Sequence, residues 1–198
     1  MKVYYQLFVY DNNEKLRRKT RRVQSKSFLK PLLYKMCYMV GGSAIATMDI
    51  DNVSNTTFNK GYFRVSHPGR DSRDDTYVVA ESTADRVGIQ VGTGTAAVAI
   101  TDYAMNTKIV NGSSAGQFVH YGCWVLNPVT GASSFSYNIE RIFQNSSGGS
   151  ITVNETGLYD HDMNYYGNFC LIRDKLSSGV AVANGEYLKV KYTITVSV

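Results

Sequence analysis

Leu188-Lys189-Val190-Lys191-Tyr192-Thr193-Ile194-Thr195-Val196-Ser197-Val198 is the stretch of sequence that decides the fold. Every second side chain in it is apolar, and those between are Lys, Thr or Ser. Because alternate side chains of a strand point to opposite faces of a sheet, the pattern predicts a strand with one buried and one solvated face. The Asn184-Gly185 pair just before it indicates a turn.

Further strand segments precede this one along the chain. Their alternation, or their content of β-branched and aromatic residues, is typical of strands, and they cover residues 3–10, 77–80, 117–126, 134–143, 150–153 and 168–173. The later segments follow one another without helices between them, and turn residues separate them. These features predict a mainly-β fold, namely an antiparallel β-sandwich of the jelly-roll-like kind.

One segment near the N-terminus has helical periodicity instead. Its apolar residues are spaced as one stripe of a helix and are Phe28, Leu29, Leu32, Leu33, Met36, Cys37 and Val40. Pro31 is tolerated only in the first turn, so this amphipathic helix is expected to begin near Ser27 and to end at Gly41-Gly42. Two alternatives stay open: the helix packs on the sheet of its own domain, or it docks on a neighbouring subunit. The expected division is an N-terminal anchor, residues 1–42, and a sandwich domain, residues 43–198.

Positive charge is concentrated in the first 35 residues. They hold ten Lys and Arg against two acidic residues, whereas residues 36–198 hold eleven basic and fourteen acidic residues. A local basic segment favours an acidic partner, which is nucleic acid, a membrane surface or the acidic face of a protein. The residues predicted to contact a partner are Lys15, Arg17, Arg18, Lys19, Arg21 and Arg22 of the basic run, with Phe28 and Leu32 of the helix.

The sequence predicts no enzyme, no cofactor and no metal site. The cysteines, Cys37, Cys123 and Cys170, are odd in number and far apart, so they are expected to be buried free thiols in a reducing compartment. His161 lies between two aspartates, but a third ligand is missing nearby, and a solvated turn is the simpler interpretation. No leader peptide or membrane span is visible, which predicts a soluble protein made in a cytoplasm.

Three groups of residues resemble structural proteins of tailed-bacteriophage virions. They are VGTGT (91–95) with ITDYA (100–104), RIFQNSSGGSITVNETGLY (141–159), and LIRD (171–174). The similarity spans about residues 87–198. The resemblance implies a capsid auxiliary or decoration protein, a head fibre or a tail-associated sandwich protein. Such a protein is made in the host cytoplasm, forms homo-oligomers, and assembles in repeated copies on capsid or tail subunits, here through its basic arm.

Two other functions remain open at this level. A receptor- or carbohydrate-binding module at the tail tip would use the tyrosine-containing loop at residues 160–166. A nucleic-acid-binding protein would use Lys15–Arg22.

A structural pair is expected within the resembling region. Glu155 lies among apolar residues next to Gly157, and Arg173 ends a neighbouring strand candidate. A carboxylate and a guanidinium on adjacent strands form a cross-strand pair. We therefore predict that Glu155 and Arg173 stabilise the scaffold and are not catalytic.

Overall fold

The computed structural model describes residues 1–39, 47–52, 54–55, 76–77, 79–126, 128–162 and 167–198. The predicted mainly-β, antiparallel fold is confirmed. The strands of the described residues are β1 (Lys2–Tyr10), β2 (Leu16–Lys19), β3 (Val23–Gln24), β4 (Thr47–Met48), β5 (Ser54–Asn55), β6 (Thr76–Tyr77), β7 (Gly88–Gly92), β8 (Val119–Val125), β9 (Val129–Thr130), β10 (Ser134–Gln144), β11 (Ile151–Asp162), β12 (Gly167–Val182) and β13 (Tyr187–Ser197). A helix, α1, spans Lys30–Met39.

The larger sheet has β13 at its centre. Its strand order is β2-β1-β13-β10-β8, with β3 also pairing with β1 and β9 with β10. The strand that the alternating pattern predicts most clearly is therefore hydrogen-bonded on both sides. It pairs with β1 from Lys2 opposite Thr195 to Tyr10 opposite Tyr187, and with β10 over eleven consecutive residue pairs.

The smaller sheet is built around β11. One edge of β11 pairs with β12, and the other pairs with β7 and, further along, with β6. A separate pair, β4 with β5, lies outside both sheets.

The last four strands form one ribbon that folds over on itself. β10 and β13 are neighbours in the larger sheet, and the same two chain segments continue as β11 and β12 in the smaller sheet. Both changes of sheet occur at a shared corner that Asn145 holds. Its backbone N–H donates to Glu186 O at 3.0 Å, and its side-chain amide donates to Val182 O at 2.7 Å and Gly149 O at 2.8 Å. Asn145 is fully buried, so these bonds replace the water that a corner would otherwise require.

The core lies between the two sheets. Alternate residues of the larger sheet point inward and are buried, including Val3, Leu7, Phe143, Val190 and Tyr192. They belong to one apolar cluster with residues of the smaller sheet and of the connecting segments, namely Ile89, Val91, Val153, Leu158, Leu171, Ile172 and Val182. The two-layer arrangement follows because each sheet has one apolar face to cover.

The first strand belongs to the body of the fold, although residues 1–42 were expected as an N-terminal anchor. β1 lies inside the larger sheet, and its residues Val3, Tyr5, Leu7 and Val9 are part of the core. The alternation of aromatic and β-branched residues at 3–10 therefore builds the body itself. The basic strands β2 and β3 pair with the outer side of β1 and form the edge of the larger sheet.

The chain then crosses from the larger sheet to the smaller one. Ser25 N donates to Val3 O at 2.9 Å, and Leu29 N donates to Leu171 O at 3.0 Å. Phe28 forms an isolated bridge with Ile172. This crossover, residues 25–29, leads directly into α1, which packs beside β12.

Some of the described side chains of the apolar helical stripe are covered and others are exposed. Leu29 and Leu32 are buried, whereas Leu33 and Met36 keep 43% and 44% of their surface exposed. Val40 lies outside the described residues. No helix in the described ranges is long and apolar enough to cross a lipid bilayer.

Candidate functional site

Glu155 of β11 and Arg173 of β12 are in direct contact. Arg173 Nε donates to Glu155 Oε2 at 2.7 Å, and Arg173 Nη1 donates to Asp102 Oδ2 at 2.6 Å. Glu155 is 0% exposed and Arg173 only 2% exposed. Burial alone would lower the pKa of Arg173, but the hydrogen bonds and charges of Glu155 and Asp102 outweigh it and raise that pKa. Both charges are thus compensated without water.

The same pair holds the long connection between β7 and β8 on the sheet. Arg173 donates to Ala96 O at 3.2 Å and to Ala97 O at 3.4 Å. Glu155 accepts from Asn106 N at 3.2 Å and from Thr107 N at 2.8 Å. We call residues 93–108 the anchored loop, because one buried ion pair satisfies backbone groups at several points along it.

Glycine is required where this loop meets the carboxylate. A Cβ at Gly92 would lie 2.7 Å from Glu155 Oε1, and a Cβ at Gly94 would lie 2.3 Å from the same atom. Real Cβ atoms do not approach oxygen this closely. Packing against Glu155 therefore explains the glycines of the VGTGT segment.

A second buried carboxylate secures the crossover. Asp174, 3% exposed, accepts from Ser25 Oγ at 2.9 Å and from Tyr192 OH at 3.2 Å. Burial raises the pKa of Asp174 to about 6, although its hydrogen bonds act in the opposite direction. A shared proton-dependent contact thus joins β12, β13 and the crossover.

The residues of the basic run are exposed along the edge formed by β2 and β3. Within the described residues, two of them form ion pairs with the body: Arg17 Nε with Asp11 Oδ2 at 3.0 Å, and Arg18 Nη2 with Glu186 Oε2 at 2.6 Å. Arg18 also donates to Ala181 O at 3.0 Å, so it links the two sheet edges. The other members of the run are Lys15, Lys19, Arg21 and Arg22.

The predicted contact residues of the helical segment are internal to the chain. Leu32 is 8% exposed and belongs to the core cluster, and Phe28 packs against that cluster while bridging to Ile172. Leu32 is therefore covered within the chain, whereas Phe28 is half-buried. The helix packs beside β12 of its own chain, and its docking on a neighbouring subunit stays a prediction.

The outer face of the larger sheet combines cations with aromatic rings. We define this outer face by Tyr4, Phe8, Lys19, Arg22, Tyr121, Trp124, Glu140, Ile142, Lys189 and Lys191, which the strand registers place on the side away from the core. Arg22 lies 4.1 Å from the ring centre of Tyr4. Lys189 and Lys191 lie 5.2 Å and 5.4 Å from the ring centre of Phe8. These cation–π contacts hold flexible side chains in place on the face.

The single tryptophan of the chain lies flat on this face. A Cβ at Gly122 would lie 2.8 Å from Trp124 Nε1 and 2.9 Å from Cε2, so the indole rests against the backbone of Gly122. Trp124 is nevertheless 45% exposed. The indole therefore contacts the backbone of Gly122 and keeps part of its surface exposed.

The other sequence candidates do not assemble into a reactive site. His161 Nδ1 lies 3.0 Å from Asn168 Oδ1 in the hairpin of β11 and β12, and not in a turn. The tyrosine-containing loop proposed for sugar binding falls largely on residues 163–166, outside the described residues. Among the residues that the structure describes, no group of three metal-ligating side chains occurs. Cys123 and Cys170 are buried, and burial raises the pKa of both thiols.

One charged core residue was not anticipated. Arg141, 1% exposed, donates to the carbonyl oxygens of Tyr121, Val87, Ile89 and Ala84. Burial lowers its pKa to about 10. The alternation of residues 134–143 already places Arg141 on the face of Ile139 and Phe143. An arginine at a position that the alternation predicts to be buried was therefore the sequence signal for this buried charge.

Comparison with known proteins gives no relative. No protein-family model, no curated protein and no solved structure matches the chain.

Proposed function

We propose that this protein is a structural component of a tailed-bacteriophage virion that assembles in repeated copies on the capsid or tail. The observation that carries the proposal is the convergence of the three resembling segments on one structural unit. VGTGT, ETGLY and LIRD are far apart in sequence, and all three meet at the Glu155–Arg173 pair. The residues that carry the resemblance are thus the ones that fix the anchored loop on the sandwich.

The surface of the sandwich also supports assembly. Phe135 and Val196 are opposite each other on β10 and β13 and are 42% and 44% exposed. Alternation places Phe135 on the same face as the buried Ile139 and Phe143, so the larger sheet extends beyond the cover of the smaller one. We call the exposed Phe135 and Val196, together with the half-buried Tyr137 beside them, the uncovered end. Contiguous exposed apolar residues of this kind are typical of subunit interfaces.

The direct test is the composition of the particle. Virions of the phage that encodes this chain are purified by density gradient, washed in high salt, and analysed by quantitative mass spectrometry. The expected result is a fixed copy number that is a multiple set by the symmetry of the capsid or tail. Abundance in the infected cell combined with absence from washed particles would overturn the proposal.

A further inference from the structure

The outer face carries an excess of positive charge. Four of its side chains are cationic, Lys19, Arg22, Lys189 and Lys191, and Glu140 is its carboxylate among the described residues. Lys189 Nζ lies 3.6 Å from Glu140 Oε2, which compensates one of these charges. Within the described part of the chain, Arg22 and Lys191 have no carboxylate at ion-pair distance. The face therefore favours an anionic ligand.

A small polar cleft lies between these two cations. Its volume is about 190 Å³, and it is lined by Tyr4, Tyr5, Gln6, Arg22, Lys191 and Thr193. The lining contains the guanidinium of Arg22 and the ammonium of Lys191, and no carboxylate. Gln6 Nε2 donates to Thr20 O and Thr193 Oγ1 donates to Asn138 Oδ1, both at 2.8 Å, so the two cations are the donors that the cleft offers. A guanidinium and an ammonium suit a phosphodiester group, which offers several acceptor oxygens and a full negative charge.

An aromatic platform lies in the same row of the sheet. Lys191 is opposite Glu140, and Glu140 is opposite Trp124, across β13, β10 and β8. Adjacent strands are about 4.8 Å apart, so Trp124 and Lys191 are separated by roughly 10 Å along this row. An exposed indole that rests on glycine offers a flat surface on which a planar base stacks. Glu140 between them accepts hydrogen bonds from the amino group of a base.

We propose that the outer face binds a single-stranded nucleic acid, with a phosphate in the cleft of Arg22 and Lys191 and a base stacked on Trp124. A duplex is disfavoured because its bases are already stacked on one another. An acidic peptide would satisfy the cations but would leave the indole unused. Of the basic run, Lys19 and Arg22 take part, because they lie on the outer face, whereas Arg18 is turned toward Ala181 and Glu186.

The binding test uses the full chain and a fluorescently labelled 20-nucleotide oligo(dC), whose bases carry the amino group that Glu140 would accept from, and binding is measured by anisotropy. Weak binding is expected at 50 mM salt, with a Kd that rises about tenfold at 200 mM because a few phosphate contacts release counterions. Trp124 is the sole tryptophan, so its intrinsic fluorescence is expected to be quenched as the oligonucleotide binds. No anisotropy change at 50 mM salt would overturn the proposal.

Matched variants locate the site. Arg22→Gln with Lys191→Gln is expected to weaken binding at least tenfold and to reduce the salt dependence. Arg86→Gln with Lys175→Gln removes the same charge away from the outer face, at exposed positions before β7 and on β12, and is expected to change the Kd less than twofold. Equal losses in the two double variants would show that net charge alone attracts DNA, which would contradict the proposed site.

The stacking contact is tested separately. Trp124→Ala is expected to weaken binding about 5- to 100-fold while leaving the salt dependence unchanged. Trp124→Phe keeps an aromatic ring and is therefore expected to weaken binding less than Trp124→Ala. Circular dichroism checks that each variant is folded. Two results would overturn the single-strand assignment. The first is a duplex of equal length that binds equally well. The second is displacement of the oligonucleotide by polyglutamate of equal charge, together with no effect of Trp124→Ala.

Discussion

Glu155 is a charge with no access to water, and its role follows from what surrounds it. Bringing a carboxylate and a guanidinium into a protein interior costs several kcal/mol in lost hydration. Contact with Arg173 and with the amides of Asn106 and Thr107 offsets that cost. The net gain in stability is small, but the removal of one partner leaves the other uncompensated. The main effect of the pair is therefore to hold the anchored loop in one arrangement. Its contribution to the total free energy of unfolding is small.

Glu155→Gln is expected to lower the free energy of unfolding by about 2–4 kcal/mol, because the buried Arg173 then keeps Asp102 as its one carboxylate partner. Urea unfolding followed by circular dichroism measures the change. Glu140→Gln, which alters a partly exposed pair with Lys189, serves as the control with an expected loss below about 1 kcal/mol. An unchanged unfolding midpoint for Glu155→Gln would contradict a scaffold role.

Asp174 gives the molecule a distinct pH dependence. Its pKa is about 6 in the folded chain and near 3.9 when unfolded. Between these values the folded state retains a proton that the unfolded state has lost. The contribution of Asp174 to stability therefore falls as the pH rises from about 4 to about 6, and the full cost is present at neutral pH.

Asp174→Asn is expected to remove this dependence, since an amide also hydrogen-bonds to Ser25 and Tyr192. Relative to the original chain, the variant should gain roughly 1–3 kcal/mol between pH 4 and pH 7. Urea unfolding at several pH values measures the difference. Asp51→Asn, at an exposed aspartate, is the control and should leave the slope unchanged. A slope that survives in Asp174→Asn would refute the assignment.

Among the elements, the anchored loop depends on the glycines beneath it. Gly94→Ala is expected to destabilise the fold by about 2 kcal/mol or more, because the new methyl group would meet Glu155 Oε1 and Asn106 Cβ. Gly149→Ala is the matched control, since a Cβ there meets nothing within 4 Å, and its effect should stay within about 0.5 kcal/mol. Thermal melts of both variants make the comparison, and similar losses would contradict the packing explanation.

The positions of the strands could be predicted from the sequence better than the pairing between them. Alternation at residues 134–143 and 188–198 predicted β10 and β13 because local pattern reports which face is buried. Pairing of β1 with β13 joins residues between 177 (Tyr10 with Tyr187) and 193 (Lys2 with Thr195) positions apart, and no local pattern encodes such a contact. For the same reason the sequence left two alternatives open for residues 15–23, a second strand that pairs back or an exposed extended arm. In the structure β2 and β3 pair with β1 and complete the edge of the larger sheet.

The candidate sites show the same limit. Glu155 and Arg173 were expected on adjacent strands, and they do meet, but their hold on the anchored loop requires three distant segments together. The outer face was not anticipated as a surface. Alternation alone predicts that Lys189 and Lys191 lie on a solvated face. The residues that complete the proposed binding surface with them, Arg22 and Trp124, come from other parts of the chain.

At the scale of the whole molecule, the two sheets differ in extent. Strands β10 and β13 belong to the larger sheet, and β11 and β12 belong to the smaller one. At Phe135 and Val196 the larger sheet continues past the smaller one, so these two side chains are exposed. The uncovered end is apolar, while the outer face is cationic. An assembly that buries the first and exposes the second would leave every copy with the same charged surface.

Phe135→Lys tests whether the uncovered end is where copies associate. The rings of Phe135 and Tyr137 lie 6.2 Å apart, and Val196 is the cross-strand neighbour of Phe135, so a buried ammonium there would face apolar groups with no compensating charge. Light scattering after size exclusion is expected to show an oligomer for the original chain and at least tenfold weaker association for the variant. The melting temperature, measured at protein concentrations too low for association, should hardly change because Phe135 contributes little to the core. Ile100→Lys replaces another exposed apolar residue, 54% exposed and in the anchored loop, and should leave association intact. Loss of association in Ile100→Lys alone would place the interface at the anchored loop and contradict its location at the uncovered end.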